Sequence, residues 1–128
     1  MAINSFIVTQ SLKTPLINFD VNGTFYLKGE SIPENTVLYY KPMFEWLETY
    51  IQQPAPETTL NIQLDYFNTS SSKCIVDLFK KMEFLSKNGS KSSINWMYDE
   101  DDDDMLEAGE DYKSIIKIPF HLISVKEK

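Results

Sequence analysis

The stretch TLNIQLDYFNTSSSK, residues 59–73, decides the fold because a strand pattern passes there directly into the start of a helix. Its apolar side chains recur at every second position: Leu60, Ile62, Leu64 and Tyr66. Residues 93–98 repeat the pattern: Ile94, Trp96 and Tyr98. A period of two predicts strands with one apolar and one polar face. Since central strands covered by helices on both faces are apolar throughout, we expect helices on one face and water on the other.

Further elements are predicted on both sides of this stretch. A helix after residue 68, ended by Asn88-Gly89, is indicated by spacings of three and four: Ile75, Leu78, Met82 and Leu85. A weaker helix is expected within residues 103–117, interrupted near Gly109, before a last strand at 119–125. Residues 15–21 and 24–28 form an antiparallel hairpin, because Asn22-Gly23 accepts the positive φ angles of a tight turn. Residues 4–10 add a further strand beside it.

The first helix follows Ser31-Ile32-Pro33-Glu34 and contains Pro42, which either begins its regular part or kinks it. Its inward face is predicted from helical spacing: Val37, Tyr40, Phe44, Leu47 and Ile51. On that reading Tyr39, Met43 and Trp46 partly face away. An exposed Met and Trp on one helix suggest a protein-docking surface, although the same face could pack under a loop.

The order of elements predicts an α/β fold: a two-layer mixed sheet with an N-terminal antiparallel hairpin and helices mainly on one face. Strands separated by a helix are expected to pair in parallel through right-handed crossovers. A chain of 128 residues supports one hydrophobic core, so we expect a single domain over residues 1–128.

Composition excludes several functions. The formal net charge of −7 and pI of about 4.6 disfavour nucleic acid and anionic lipid as partners. A single cysteine, Cys74, provides no internal disulfide and is typical of a reducing compartment. The sequence contains neither a secretory leader nor an apolar run of the roughly 20 residues that a membrane span needs. A cytoplasmic protein without membrane attachment is the expectation.

The run Thr69-Ser70-Ser71-Ser72 has three interpretations. The first is capping, since Asn68 or Thr69 at a helix start contributes about 1 kcal/mol. The second is phosphorylation, because a helix N-terminus tolerates the added charge of about −1.5 to −2. The third is a bound free anion, which is weaker because the glycines of a phosphate-binding loop are missing.

The acidic run Asp99–Asp104 and the lone Cys74 and His121 are the other candidates for chemistry. An EF-hand needs a glycine at its sixth position, where this run has Asp104, so we predict no metal site. No third residue orients His121, and we predict no catalytic residues and no cofactor. We expect a solvated loop in which Asp101 and Asp102 contribute to partner recognition. Since Thr69 and this run both follow strand ends, a phosphate on Thr69 is expected to repel the loop.

Three separated segments carry a family resemblance: YFNTSSSK at 66–73, GESIPEN at 29–35 and WMYDEDDDDMLEAGEDY at 96–112. Together they resemble the SiaC family of bacterial regulatory phosphoproteins, small domains whose fold is similar to the STAS anti-sigma-factor antagonists. The resemblance implies a signalling protein and no enzyme. It also implies that Thr69 is the site of reversible phosphorylation; chemistry alone leaves Ser70 open.

The resemblance further implies three partners: a protein serine/threonine kinase, a serine/threonine phosphatase, and a diguanylate cyclase or similar effector. In the best-known system of the family, the unphosphorylated form binds and activates the cyclase, which raises cyclic di-GMP and favours biofilm growth. Two alternatives remain: an anti-sigma-factor antagonist, or a small metal-dependent hydrolase using the acidic loop. The predicted partner-binding residues are Asn68, Thr69, Ser70, Ser71, Lys73, Trp46, Asp101 and Asp102.

Overall fold

The structure, a computed structural model, describes residues 3–126 and contains six strands and three helices in that part of the chain. Their bounds in chain order are β1 Phe6–Val8, β2 Leu16–Phe19, β3 Thr24–Ser31, α1 Thr36–Gln52, β4 Glu57–Phe67, α2 Thr69–Lys87, β5 Lys91–Asp99, α3 Asp103–Ile115 and β6 Phe120–Val125.

All six strands form one sheet in the order β1-β2-β3-β4-β5-β6. The pairs β1–β2 and β2–β3 are antiparallel, whereas β3–β4, β4–β5 and β5–β6 are parallel. The three parallel crossovers step in the same direction along the sheet, and the right-handed connection usual for such units places all three helices on the same face. The predicted two-layer mixed sheet is confirmed.

In β4 and β5, every second side chain is buried over most of the strand. Leu60, Ile62 and Ile94 are fully buried, and Trp96 is 1% exposed with its ring against Phe79 and Tyr112. The opposite face is polar: Asn95 Nδ2 donates to Asn61 Oδ1 at 2.9 Å, and Asn61 Nδ2 donates to a backbone carbonyl at 3.3 Å. Helices therefore cover one face of the sheet only, as the period of two indicates.

The N-terminal hairpin is present, but its turn differs from the predicted one. The loop spans residues 20–23, and Asp20 N–H donates to Thr24 O at 3.0 Å. Gly23 has a φ of +99°, while Asn22 keeps a negative φ and accepts the Thr24 N–H through its side chain at 2.9 Å. The first strand, β1, has only three residues within the predicted 4–10.

Helix α1 begins at Thr36, after the cap Asn35, and continues through Pro42, so Pro42 does not begin the helix. The prediction of its inward face was wrong in part. The buried side chains besides Thr36 are Tyr40, Met43, Leu47 and Tyr50. Val37 is 75% exposed, and Phe44 and Ile51 are half-buried beside α2.

Trp46 does not form an exposed docking surface. Its Nε1 donates to Asn4 O at 2.8 Å, and its ring lies against Phe19, Phe25 and Tyr50. Met43, its predicted companion, is 1% exposed. The side of α1 that holds Trp46 packs under the N-terminal strands.

Two further predictions needed correction. Tyr66 is 55% exposed because β4 bulges: Gly29 pairs with Leu64 and Glu30 with Tyr66, which leaves Asp65 as an extra residue. Helix α3 is not interrupted at Gly109, which is buried inside a continuous helix. The helix spans residues 103–115 without a break. The glycine at position 109 instead allows the helix to lie close to Trp96.

Within residues 3–126, no helix is both long enough and apolar enough to cross a bilayer.

Candidate functional site

The carboxyl edge of the parallel strands gathers the starts of all three helices. Each helix is capped by the side-chain oxygen of the residue just before it. Asn35 accepts from Leu38 N at 3.1 Å, Asn68 from Ser71 N at 2.9 Å, and Asp102 from Met105 N at 3.1 Å. The hydroxyl run and the acidic segment therefore lie on the same edge, as predicted.

Ser71 belongs to the core and not to the docking surface. Its side chain is fully buried, and its hydroxyl donates to Ser31 O at 2.9 Å. Ser31 Oγ in turn lies 2.8 Å from Ser71 Oγ and 2.5 Å from Tyr40 Oη. Since each hydroxyl has one proton, the chain runs from Tyr40 to Ser31 to Ser71 to the Ser31 carbonyl. Burial raises the pKa of Tyr40 far above its ordinary value, which keeps the phenol neutral and able to donate.

Ser70 is exposed, but its hydroxyl is engaged. It donates to Asn68 Oδ1 at 3.1 Å and lies 2.6 Å from Thr36 Oγ1. Because the Ser70 proton goes to Asn68, Thr36 is the donor in the second bond. Phosphorylation of Ser70 would remove the proton that Ser70 donates to Asn68 and would place a bulky dianion at its contact with the buried Thr36 hydroxyl.

Ser72 links α2 to α3. Its hydroxyl lies 2.9 Å from Tyr112 Oη. Burial raises the pKa of Tyr112, and the hydrogen bond to Ser72 opposes this rise. Ser72 therefore holds the start of α2 against the helix that follows the acidic segment.

Thr69 differs from the other three hydroxyl residues. It is the first residue of α2, its side chain is exposed, and its hydroxyl makes no hydrogen bond with any residue in 3–126. A hydroxyl in this position is accessible to another protein, and its modification breaks no hydrogen bond to the residues that the structure describes.

Lys73, one turn after Thr69, is also exposed and makes no ion pair in the described part of the chain. Glu48 and Lys81 form an ion pair in the groove between α1 and α2, distant from this edge. Of the predicted partner-binding residues, Asn68, Thr69, Ser70 and Lys73 thus lie together, with Asn68 half-buried by its capping role.

The acidic segment adjoins the end of β4. A groove of about 240 Å³ lies between them, lined by Asp65, Tyr66, Phe67, Asp102, Asp104, Met105 and Ala108. Asp101 is exposed, while Asp102 is half-buried and serves as the cap of α3. Among residues 3–126, no three His, Cys, Asp or Glu side chains are arranged to hold a metal ion.

Cys74 and His121 lie apart. Cys74 is a buried residue of α2, where burial raises the pKa of its thiol. His121 is exposed on β6 and pairs in register with Asn95, on the face of the sheet that the helices do not cover. The sheet separates the two side chains, so they do not form a Cys–His pair.

Sequence reasoning missed two exposed apolar residues at this edge. Val37 and Leu38, in the first turn of α1, are 75% and 64% exposed. They directly follow Thr36, which is hydrogen-bonded to Ser70. Trp46 lies ten residues after Thr36 along the same helix, about 15 Å away. Leu38 lies about 200° round the helix from Thr36 and lines a pocket with Lys13 and Thr14, so it faces away from the hydroxyl run. Val37, which directly follows Thr36, is therefore the exposed apolar side chain nearer to that run.

This fold and edge define a class: a two-layer α/β domain that displays a free hydroxyl beside an exposed apolar side chain, which suits partner binding. The model of the SiaC family, described as regulatory phosphoproteins, matches residues 8–125. The chain belongs to the SiaC family. It is a regulatory protein and not an enzyme, so the hydrolase alternative is set aside.

Known relatives agree with this assignment. An uncharacterised protein of Pseudomonas aeruginosa strain UCBPP-PA14 is 30% identical over 113 residues, 88% of each chain. The crystal structure of apo-SiaC from Pseudomonas aeruginosa matches with a TM-score of 0.87 and 25% identity, over 95% of this chain and all of that one. SiaC in complex with the diguanylate cyclase SiaD, which it activates, matches with a TM-score of 0.87 and 26% identity, over 94% and 99% of the two chains.

Proposed function

We propose that this chain is a single regulatory domain over residues 1–128 whose binding to a partner enzyme is switched by phosphorylation of Thr69. In its unmodified form it binds and regulates a diguanylate cyclase, as a cytoplasmic component of bacterial cyclic di-GMP signalling. A protein kinase adds the phosphate and a serine/threonine phosphatase removes it. The relation to SiaC of Pseudomonas aeruginosa, the activator of SiaD, supports the choice of effector.

The free hydroxyl of Thr69 is the observation that carries the proposal. Ser70, Ser71 and Ser72 each hold a hydrogen bond to another element, and Ser71 is fully buried. Phosphorylation at any of them would remove the hydroxyl proton and crowd a contact with another element. Phosphorylation at Thr69 adds charge at a helix N-terminus without such a loss, which favours Thr69 over Ser70 as phosphoacceptor.

The docking surface that we propose combines Thr69 with Val37. Large exposed apolar side chains are the usual anchors of a protein interface. A phosphate placed in a partly apolar interface disfavours binding, because the dianion loses water without gaining a partner. A tenfold loss of affinity needs only about 1.4 kcal/mol of difference between the two forms.

The modification site is tested by incubation with the cognate kinase and ATP, followed by mass spectrometry. We expect phosphate on Thr69 in the wild type and in Ser70→Ala, and none on Thr69→Ala. Phosphate on Ser70 in both the wild type and Thr69→Ala would contradict the assignment.

The switch is tested with phosphothreonine encoded genetically at position 69. We expect the unmodified protein to bind the cognate cyclase and change its rate of cyclic di-GMP synthesis, and the phosphorylated protein to bind at least about tenfold more weakly. Equal binding of both forms would exclude the switch. Capture of an anti-sigma kinase in place of a cyclase would favour the anti-sigma-factor-antagonist alternative.

The apolar anchor Val37 has a matched control. Val37→Ala should weaken binding of the cyclase, whereas Phe84→Ala should not. Phe84 is also exposed, at 49%, but it lies fifteen residues after Thr69 on α2, about 22 Å along the axis. An equal effect of both substitutions would show that the docking surface is not centred on Thr69.

A further inference from the structure

Lys73 is placed to contact whatever is attached to Thr69. The two residues are four apart on α2, and both side chains are exposed. Residues four apart on a helix are neighbours, with Cβ atoms about 5–6 Å from each other. Helical side chains also lean toward the N-terminus, so Lys73 leans toward Thr69.

The ammonium group of Lys73 is available. Lys73 makes no ion pair within residues 3–126. Asp77 lies four residues further along the helix. That orientation, with the cation N-terminal to the anion, is the less favourable of the two. An anion at position 69 has the favourable orientation, because it precedes the cation.

A cation close to Thr69 would offset repulsion from the acidic segment if Thr69 is phosphorylated. The groove between the end of β4 and the acidic segment carries the carboxylates of Asp102 and Asp104. A phosphate dianion added beside them experiences like-charge repulsion, which an opposite charge within contact distance offsets.

We propose that Lys73 is the internal counter-ion of phosphorylated Thr69, binding the phosphate oxygens across one turn of α2. The inference rests on the proposed phosphorylation of Thr69 and adds the residue that binds the phosphate. In the unmodified protein Lys73 is free for a partner's carboxylate. In the phosphorylated protein it is withdrawn to the phosphate, so one modification changes two groups of the docking surface.

The test is ³¹P NMR titration of protein carrying genetically encoded phosphothreonine at position 69. A nearby cation favours the dianion and lowers the second pKa of the phosphate, which is ordinarily about 6. We expect this pKa to be about 0.3 unit higher in Lys73→Gln than in the protein with Lys73, given the usual strength of such pairs. Lys73→Arg should restore the lower value.

Lys80→Gln is the matched control. Lys80 is exposed on the same face of α2, eleven residues or three turns after Thr69. The separation of about 16 Å is twice the screening length at physiological salt. Lys80→Gln should therefore leave the phosphate pKa unchanged.

Two outcomes would overturn the proposal: a phosphate pKa in Lys73→Gln equal to that of the protein with Lys73, or a shift as large in Lys80→Gln. Neither kinase nor cyclase enters this experiment. If the titration excludes Lys73 as the counter-ion, the binding measurements still test the switch. If the binding measurements exclude the switch, the titration result is not affected.

Discussion

The hydroxyls of Thr36 and Ser70 lie 2.6 Å apart, so the first residue of α1 is hydrogen-bonded to the second residue of α2. Ser70 directly follows the free Thr69, and Thr36 directly precedes the exposed Val37. One hydrogen bond therefore connects the residue after Thr69 with the residue before Val37.

We expect the Thr36–Ser70 bond to appear as a coupling energy in a double-mutant cycle. Ser70→Ala leaves the buried Thr36 hydroxyl without its acceptor, and Thr36→Val removes the donor without changing the shape much. Each single variant should lose about 1 kcal/mol of unfolding free energy, and the double variant should lose about 1 kcal/mol less than the sum. Urea unfolding measures all four proteins; strict additivity would contradict the contact.

The cap of α2 should matter more than the cap of α1. Asn68 accepts from Ser71 N and from the Ser70 hydroxyl, whereas Asn35 accepts from Leu38 N. We expect Asn68→Ala to cost about 1–2 kcal/mol and Asn35→Ala about 1 kcal/mol in urea unfolding. Asn68→Asp keeps the accepting oxygen and should remain close to the wild type. A loss in Asn68→Asp as large as in Asn68→Ala would show that capping is not the reason.

Local repetition made much of the fold predictable. The period of two in β4 and β5, and the spacing of Ile75, Leu78 and Met82 in α2, identify the buried faces without knowledge of neighbours. The bulge at Asp65 was not predictable, because it depends on pairing with a strand more than thirty residues earlier.

The face of α1 was ambiguous because apolar residues occur nearly all round its first three turns. Contacts distant in sequence decide between the alternatives. Tyr40 faces inward where its hydroxyl reaches Ser31, and Trp46 turns toward the carbonyl of Asn4. A spacing of three and four fits either choice, so helical periodicity alone favoured Val37 wrongly.

The hydroxyl run was found from the sequence, but its members could not be ranked there. The ranking comes from residues far along the chain: Ser31 for Ser71, Thr36 for Ser70 and Tyr112 for Ser72. Only the fold brings these partners to one edge of the sheet.

Gly109→Ala should destabilise the protein although alanine is the better helix former. A Cβ at this position would lie 2.5 Å from Trp96 Cδ1 and 2.7 Å from Leu122 Cδ2, both in the packed layer between α3 and the sheet. Overpacking of this kind costs about 1–3 kcal/mol, against a gain of about 1 kcal/mol in helix propensity. We expect a net loss of about 1 kcal/mol or more in urea unfolding.

The exposed neighbour Glu110 provides the control for that substitution. Glu110→Ala lies on the same helix and should change stability by less than about 0.5 kcal/mol. A Gly109→Ala protein as stable as Glu110→Ala would mean that Trp96 can move aside.

Stability should fall above about pH 10, with Tyr40 contributing to the slope. Burial raises the folded-state pKa of Tyr40 above its unfolded value of about 10, so its contribution is complete below that pH and is lost as the unfolded chain ionises. One such group lowers the unfolding free energy by up to about 1.4 kcal/mol per pH unit in this range. Tyr40→Phe loses the bond to Ser31, so it should be less stable at about pH 8 but decline less steeply in urea unfolding between about pH 9 and 11.

The exposed Tyr26 is the control, and Tyr26→Phe should keep the wild-type slope. Identical slopes for Tyr40→Phe and the wild type would show that ionisation of the Tyr40 phenol does not destabilise the folded protein.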